Sequence, residues 1–191
     1  MSKKEYFDSD LLDRAICFAV KAHSHTERRG KGFPYIVHPL EAMTIVATIT
    51  SDQELLAAAV LHDTVEDTDV TVEQLRQEFG PRVAELVVHE SDIEIEGNAS
   101  DTWHARKQHA IDHLAQAPYD AKIVAMGDKL SNMRAIALDY TMIGDKIWNR
   151  FHVTDPKEHA WHYRGLLASL SDLKETFAYQ EFDYLVNLIF G

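Results

Sequence analysis

Little in this chain points outward from a reducing, aqueous compartment. There is a single cysteine, Cys17, so no internal disulfide can form. It sits in an apolar helical stretch and reads as an inert core thiol. The longest apolar run is Leu55 to Leu61, far short of the roughly 20 residues that cross a bilayer. Met1 to Tyr6 carry neither an apolar signal core nor a small-residue cleavage site. No membrane partner is expected, and the cytoplasm is the default localisation. Cations are scarce: 19 Lys and Arg stand against 31 Asp and Glu, for a net charge of −12. A polynucleotide partner needs a basic footprint and does not fit. A small phosphorylated substrate remains compatible, because a local cationic pocket can override the global sign. Strand signals are also missing; no Val/Ile/Thr/Tyr alternation between Asn-Gly turns recurs.

What the chain does have is helical periodicity and eleven histidines. The 191 residues suit one domain, 1–191, and the expected class is all-α, a single domain of bundle-like helices. Leu11, Leu12, Ala15, Ile16, Ala19 and Val20 follow the 3-4 spacing of an amphipathic helix. Pro39 suits the first turn of a second helix. Glu54 to His62 is apolar nearly all round, the mark of a helix at the centre of a fold. Thr71 and Gln74 form a capping box, and Phe79-Gly80-Pro81 stops one helix and starts the next. The acidic stretch 91–100 reads as an exposed loop. Asp120 is expected to cap the helix carrying Ile123 to Met133, and Asp155-Pro156 to open a late helix running towards Phe177, followed by a short last one.

The chemistry centres on His62-Asp63, at the end of the apolar helix. Ionisable residues are seldom buried without a partner, and a cation satisfies a neutral imidazole and a carboxylate together. Adjacent helical positions diverge by about 100°, so one ion must lie beside the helix end. His38, ahead of Pro39, and Asp128, interrupting an apolar helix, supply further donors. Singly, each of these is an ordinary helix entry, cap or core carboxylate; as a set they are far more specific. Mixed nitrogen and oxygen donors without thiolate suit Mn²⁺, Fe²⁺ or another six-coordinate ion, with Zn²⁺ still open.

Glu66 and Asp67 follow directly. If the backbone stays helical, they lie one turn beyond His62 and Asp63 on the metal side, where a carboxylate pair can orient or deprotonate a water. Acids at a helix C-terminus gain nothing from its dipole, which favours a functional reason for them. Arg28, Arg29 and Lys31, in a glycine-bearing loop, could clamp phosphate oxygens. Asn132, one turn after Asp128, could bond a base, a ribose or Asp63. Lys129 and Arg134 are further phosphate candidates. Trp103, Arg106 and Lys107 either lie over the pocket or form an ordinary surface face.

At these residues the chain resembles a known family. Pro34 to Leu40 (PYIVHPL), Ala58 to Thr68 (AAVLHDTVEDT), Phe79-Gly80 and Asp128 to Arg134 (DKLSNMR) occur in the order found in the hydrolase domain of the RelA/SpoT family, and the length matches its stand-alone small alarmone hydrolases. The resemblance implies an all-α, Mn²⁺-dependent HD enzyme that removes the 3′-pyrophosphate from guanosine tetra- or pentaphosphate. It implies His38, His62, Asp63 and Asp128 as metal ligands, and Glu66 and Asp67 as the catalytic acids. Arg29 and Asn132 fall on substrate-contacting positions. Gly30 stands where the family has a lysine, and Lys31 is the substitute. The chain departs from the family at Ser131, where an aromatic residue often stands, and at the tail around Trp148, Asn149-Arg150-Phe151 and Trp161-His162-Tyr163.

Three functions follow: alarmone 3′-pyrophosphohydrolase; the same chemistry on another phosphorylated nucleotide, such as an adenosine alarmone, a phosphorylated dinucleotide or a monophosphate; or a nucleotide-sensing module without turnover. The water-activating pair argues against the third. Nothing in the sequence decides an oligomeric state.

Overall fold

A computed structural model describes residues 9–28, 30–90 and 101–191. Among them the structure is helical, and the one β-type contact is an isolated antiparallel bridge between Glu27 and Pro34. Ten α-helices run α1 Asp10–Ala22, α2 Val37–Val46, α3 Gln53–Leu61, α4 Thr64–Asp67, α5 Val72–Phe79, α6 Pro81–Glu90, α7 Trp103–Gln116, α8 Tyr119–Ile143, α9 Pro156–Ser169 and α10 Phe177–Phe190, with 3-10 turns at Gly144–Arg150 and Ser171–Leu173. The segment 91–100 and Arg29 lie outside the described residues, so the expected acidic loop and that arginine are not part of this description. None of these helices is long and apolar enough to cross a membrane.

Helix α3 is the hub. Every residue from Leu55 to Leu61 is buried, and α1, α2, α6 and α8 pack around it. A fully buried Leu contributes about 1.5–3 kcal/mol, so this short helix anchors the core out of proportion to its length. Asp52 caps it by accepting from Glu54 N at 2.9 Å. The capping box of Thr71 and Gln74 opens α5, and Gly80, at φ 90°, closes it. That backbone conformation strains any residue with a Cβ, and it lets Pro81 start α6 immediately.

Helix α8 crosses α2 closely at Gly127, and its buried face includes Ile123, Val124, Met126, Leu130 and Met133. Some sequence expectations fail here. Cys17 is exposed, not a core thiol, because it lies two residues, about 200°, from the buried Ala15. Val20 is likewise 45% exposed. Asp120 does not cap α8: Pro118 occupies the cap position, and Asp120 instead accepts from Arg82 at 2.7 Å. That guanidinium also bonds Asp52 and Glu54, tying the starts of α3 and α8 to α6. Helix α9 ends at Ser169, well before Phe177, and the last helix has 14 residues where a short one was expected. The 3-10 turn and Thr176, whose hydroxyl accepts from Tyr179 N at 3.2 Å, separate the two.

Candidate metal centre and cleft

His38 enters from the first turn of α2, His62 from the cap position ending α3, and Asp128 from the middle of α8; all three are buried. One ligand atom of each lies within 4.8 Å of those of the other two. His38 Nε2 is 3.1 Å from Asp128 Oδ1 and 3.4 Å from Asp63 Oδ2. His62 Nε2 is 2.9 Å from Asp63 Oδ2 and 3.5 Å from Asp128 Oδ1. The backbone does not continue as one helix past His62: α3 stops, the chain turns at His62 and Asp63, and α4 begins at Thr64. This turn brings both neighbours to one point, where a continuous helix would splay them apart.

The tautomers of the two imidazoles follow from their other nitrogens. His62 Nδ1 is 2.8 Å from the Ala59 carbonyl oxygen. A carbonyl only accepts, so Nδ1 carries the proton in the neutral ring. Ser131 Oγ donates to Glu41 Oε2 at 2.7 Å and therefore accepts from His38 Nδ1, also at 2.7 Å. In both neutral rings the Nε2 lone pair then faces carboxylate oxygens. His62 Nε2 is buried and makes no hydrogen bond. Lone pairs from two imidazoles and two carboxylates turned on one another repel unless a cation or a proton lies between them. The donor set therefore fits a divalent metal ion.

The titration behaviour has the same origin. Burial disfavours a charge on His62, but the carboxylates of Asp63 and Asp128 outweigh it and hold its pKa well above the usual value. Burial would raise Asp63, yet the facing imidazoles hold its carboxyl well below the usual range. Asp128 is likewise held low against burial, by Lys129 and the two histidines. Without a metal, a proton on His62 does the work of the cation.

Around this centre, the Tyr35 hydroxyl donates to Asp63 Oδ2 at 2.7 Å. Burial, with Asp63 and Asp67 beside it, pushes that phenol's pKa up, so it stays protonated. Asn132 Nδ2 donates to Asp128 Oδ1, and Arg28 donates to Asn132 Oδ1; the amide is aimed at Asp128 and not at Asp63. Lys129 Nζ bonds Asp128 Oδ2 at 2.6 Å and Glu90 Oε2 at 3.2 Å. Lys31 bridges to Asp139 at 2.7 Å and to the Ala135 carbonyl at 3.1 Å. Glu66 and Asp67 are exposed on α4, with Asp67 near Tyr35. Arg134 lies apart, its guanidinium forked onto Glu181 at 2.6 and 2.7 Å and reaching Glu41 at 3.1 Å.

Beside the cluster is a cavity of about 320 Å³, with Arg28, Lys31, Tyr35, Asn132 and Arg150 on its walls. A smaller chamber of about 190 Å³ adjoins Asp128, Lys129 and Lys107. Trp103 lines both, so α7 does reach over the cleft.

Sequence reasoning missed three neighbours of the centre. Tyr35 stood within a quoted motif without a role. His23, 2% exposed, has neither ring nitrogen bonded and packs 4.9 Å from the Tyr35 ring. Its burial at the end of α1 could have been read from the phase of Ala15 and Ala19. Ser131, noted only as the loss of an aromatic residue, is a buried link between His38 and Glu41; no local signal announces a partner 90 residues away.

The sequence profile of an HD domain family matches residues 15–148. A probable guanosine-3′,5′-bis(diphosphate) 3′-pyrophosphohydrolase of Synechocystis is 35% identical over 128 residues, which are 66% of this chain and 17% of that protein. The chain thus spans about a sixth of that relative's length. The zebrafish (Danio rerio) guanosine-3′,5′-bis(diphosphate) 3′-pyrophosphohydrolase MESH1 is 36% identical over 128 residues, 65% of this chain and 68% of that protein. The solved structure of a metazoan orthologue of SpoT, described as hydrolysing ppGpp, superposes with a TM-score of 0.77 at 24% identity over 96% of this chain and 97% of the other; it establishes the fold. With the profile covering most of its length and the zebrafish relative matched over two thirds of its own, the chain belongs to the HD-domain family, in its RelA/SpoT branch.

Proposed function

We propose that the chain is a metal-dependent pyrophosphohydrolase that removes the 3′-pyrophosphate from guanosine tetra- or pentaphosphate, giving GDP or GTP. One observation carries this reading: two imidazole lone pairs and two carboxylates meet at one point beside a cation-walled cleft. His38, His62, Asp63 and Asp128 would hold one divalent cation, Mn²⁺ by the hardness of half the donors. The relatives' names support a nucleotide substrate.

When bound, such an ion supplies Lewis-acid polarisation of a phosphoryl oxygen and eases deprotonation of water. The rest is the work of the chain. Glu66 and Asp67, one turn beyond the ligands on α4, accept a proton from the attacking water. Water oxygen bonds to the phosphorus attached at the ribose 3′ oxygen; the bond to that oxygen breaks, pyrophosphate leaves, and the 3′ oxygen gains a proton. Tyr35 fixes Asp63 by donating to it, and Asn132, held by Arg28, fixes Asp128. Lys31, Lys129 and Arg29 are assigned to phosphate oxygens, where cations offset spreading negative charge. Arg134, already bonded to Glu41 and Glu181, is assigned to bracing α10.

Ser131 gives a second substrate reading some weight. Its hydroxyl is committed to His38 and Glu41, so no aromatic side chain at that position contacts a base, and a nucleotide other than guanosine tetraphosphate could be preferred. Purified protein with Mn²⁺ should release pyrophosphate and GDP from guanosine tetraphosphate. Absence of release at high enzyme concentration, with turnover of another nucleotide in the same panel, would replace the first substrate with the second.

A further inference from the structure

Five large apolar side chains stand in solvent on the second half of α8 and along α10. They are Leu138, Met142, Phe177, Tyr184 and Leu188, each between 57% and 85% exposed. None of them lines either cavity of the cleft. Exposed apolar residues scattered singly need no explanation, so their placement relative to one another decides what they mean.

The two helices bring them together. Lys122 bonds Asp172, just ahead of α10; Arg134 bonds Glu181; and Trp148, past the end of α8, stacks on Phe190 at 5.6 Å. These contacts advance in step, so α8 and α10 lie side by side and run in the same direction. Leu138 and Met142 follow Arg134 by about one and two turns, and Tyr184 and Leu188 follow Glu181 by about the same. Phe177 stands one turn ahead of Glu181 on that stripe, while Ala178, Phe182 and Val186 form the inward one. Leu138 also carries the patch towards α2, because it shares a small depression with Phe33 and Val37.

The patch is large. An aromatic side chain carries roughly 150–250 Å², so these five at their exposures amount to something on the order of 700 Å². The largest apolar patch on a monomer is typically about 300–600 Å², and a stable interface takes about 800 Å² from each partner.

The charges bordering it are already paired within the chain. Arg134 is forked onto Glu181 and reaches Glu41. Asp139 is paired with Lys31 and Arg150. Asp183 accepts from Asn187 Nδ2 at 3.0 Å, and α10 contains no Lys or Arg. Such a face offers little to a partner of opposite charge. It is complementary to itself, and here a chain of net charge −12 can meet its own copy without setting unpaired carboxylates against each other.

We propose that the α8–α10 face is the contact of a symmetric dimer, in which a second copy of this chain lays the same face across it. A two-fold contact uses one patch twice, a condition that an apolar face with its charges already paired meets.

Sedimentation velocity on the full chain at micromolar concentration should give a particle of twice the mass of one chain. Met142→Glu and Tyr184→Glu each set like charges into the contact and should each weaken the dimer on the order of 100-fold. Both side chains stand in solvent, so the variants should keep the wild type's helical circular dichroism while running as monomers. Val88→Glu, at an exposed apolar residue of α6, should leave the dimer intact. A wild type that sediments as a monomer overturns the proposal. So does a dimer that persists in both folded Glu variants, since the copies would then meet through another face.

Discussion

The carbonyl oxygen of Ala42 lies where Gly127 has no side chain: a Cβ at Gly127 would sit 2.6 Å from that oxygen and 2.8 Å from Val46 Cγ2. The bare backbone of α8 is what lets α2 approach, and it does so one residue before Asp128 and four residues after His38. Gly127→Ala should push the two helices apart, costing about 1–3 kcal/mol of stability through overpacking and weakening metal binding as well. Denaturant midpoints and Mn²⁺ titration would check this. An Ala variant as stable and as tight-binding as the wild type would mean that the helices have room to spare.

Metal binding should release protons and tighten as pH rises. The His62 pKa lies well above 6.5, so in the metal-free protein its proton stabilises the fold below 6.5 and that contribution fades as pH climbs through the raised value. Asp63 and Asp128 titrate well below 3.8; their contribution is present above 3.8 and is lost only in strong acid. A cation must displace the His62 proton. Calorimetry in buffers of different ionisation enthalpy should show that proton leaving, and Mn²⁺ should raise Tm more at pH 8 than at pH 6. Affinity that weakened with rising pH in this range would contradict the assigned donors.

His62→Ala or Asp63→Ala should abolish both activity and metal content. Glu66→Ala should abolish activity while metal remains, because Glu66 lies on α4 beyond the turn that carries the ligands. Metal analysis alongside turnover distinguishes the cases. Equal metal loss in all three would make Glu66 a ligand or a folding residue.

Ser131→Ala should leave His38 Nδ1 without an acceptor and free its ring to change tautomer. Removal of such a supporting partner typically weakens metal affinity about 10–100-fold. Ser131→Thr, which keeps the hydroxyl, should recover most of that loss. If Ala and Thr behave alike, the hydroxyl has no part in orienting His38.

The sequence was most legible where the signal was local. A run without a polar face announced α3, and the capping box and Gly80 fixed the ends of α5. The convergence of His38, His62, Asp63 and Asp128 was legible because His, Asp and helix ends recur in one order. Side-chain partners far along the chain were not. Asp120 looked like a cap because its residue type suits one, yet Arg82, 38 residues earlier, takes its carboxylate. Cys17 looked buried because its neighbours are apolar, while the helix phase turns it outward. His162 and Tyr163 carried no motif, since their neighbours across the chamber come from α7 and α8.

Helix α10 is joined to the centre by a continuous line of polar contacts: Glu181 to Arg134, Arg134 to Glu41, Glu41 to Ser131 and Ser131 to His38. The tautomer of a deeply set imidazole thus depends, at four removes, on a carboxylate near the far end of the sequence. Evolutionary drift in that last helix is consequently not free: a change at Glu181 would be felt in how a ring it never touches is held.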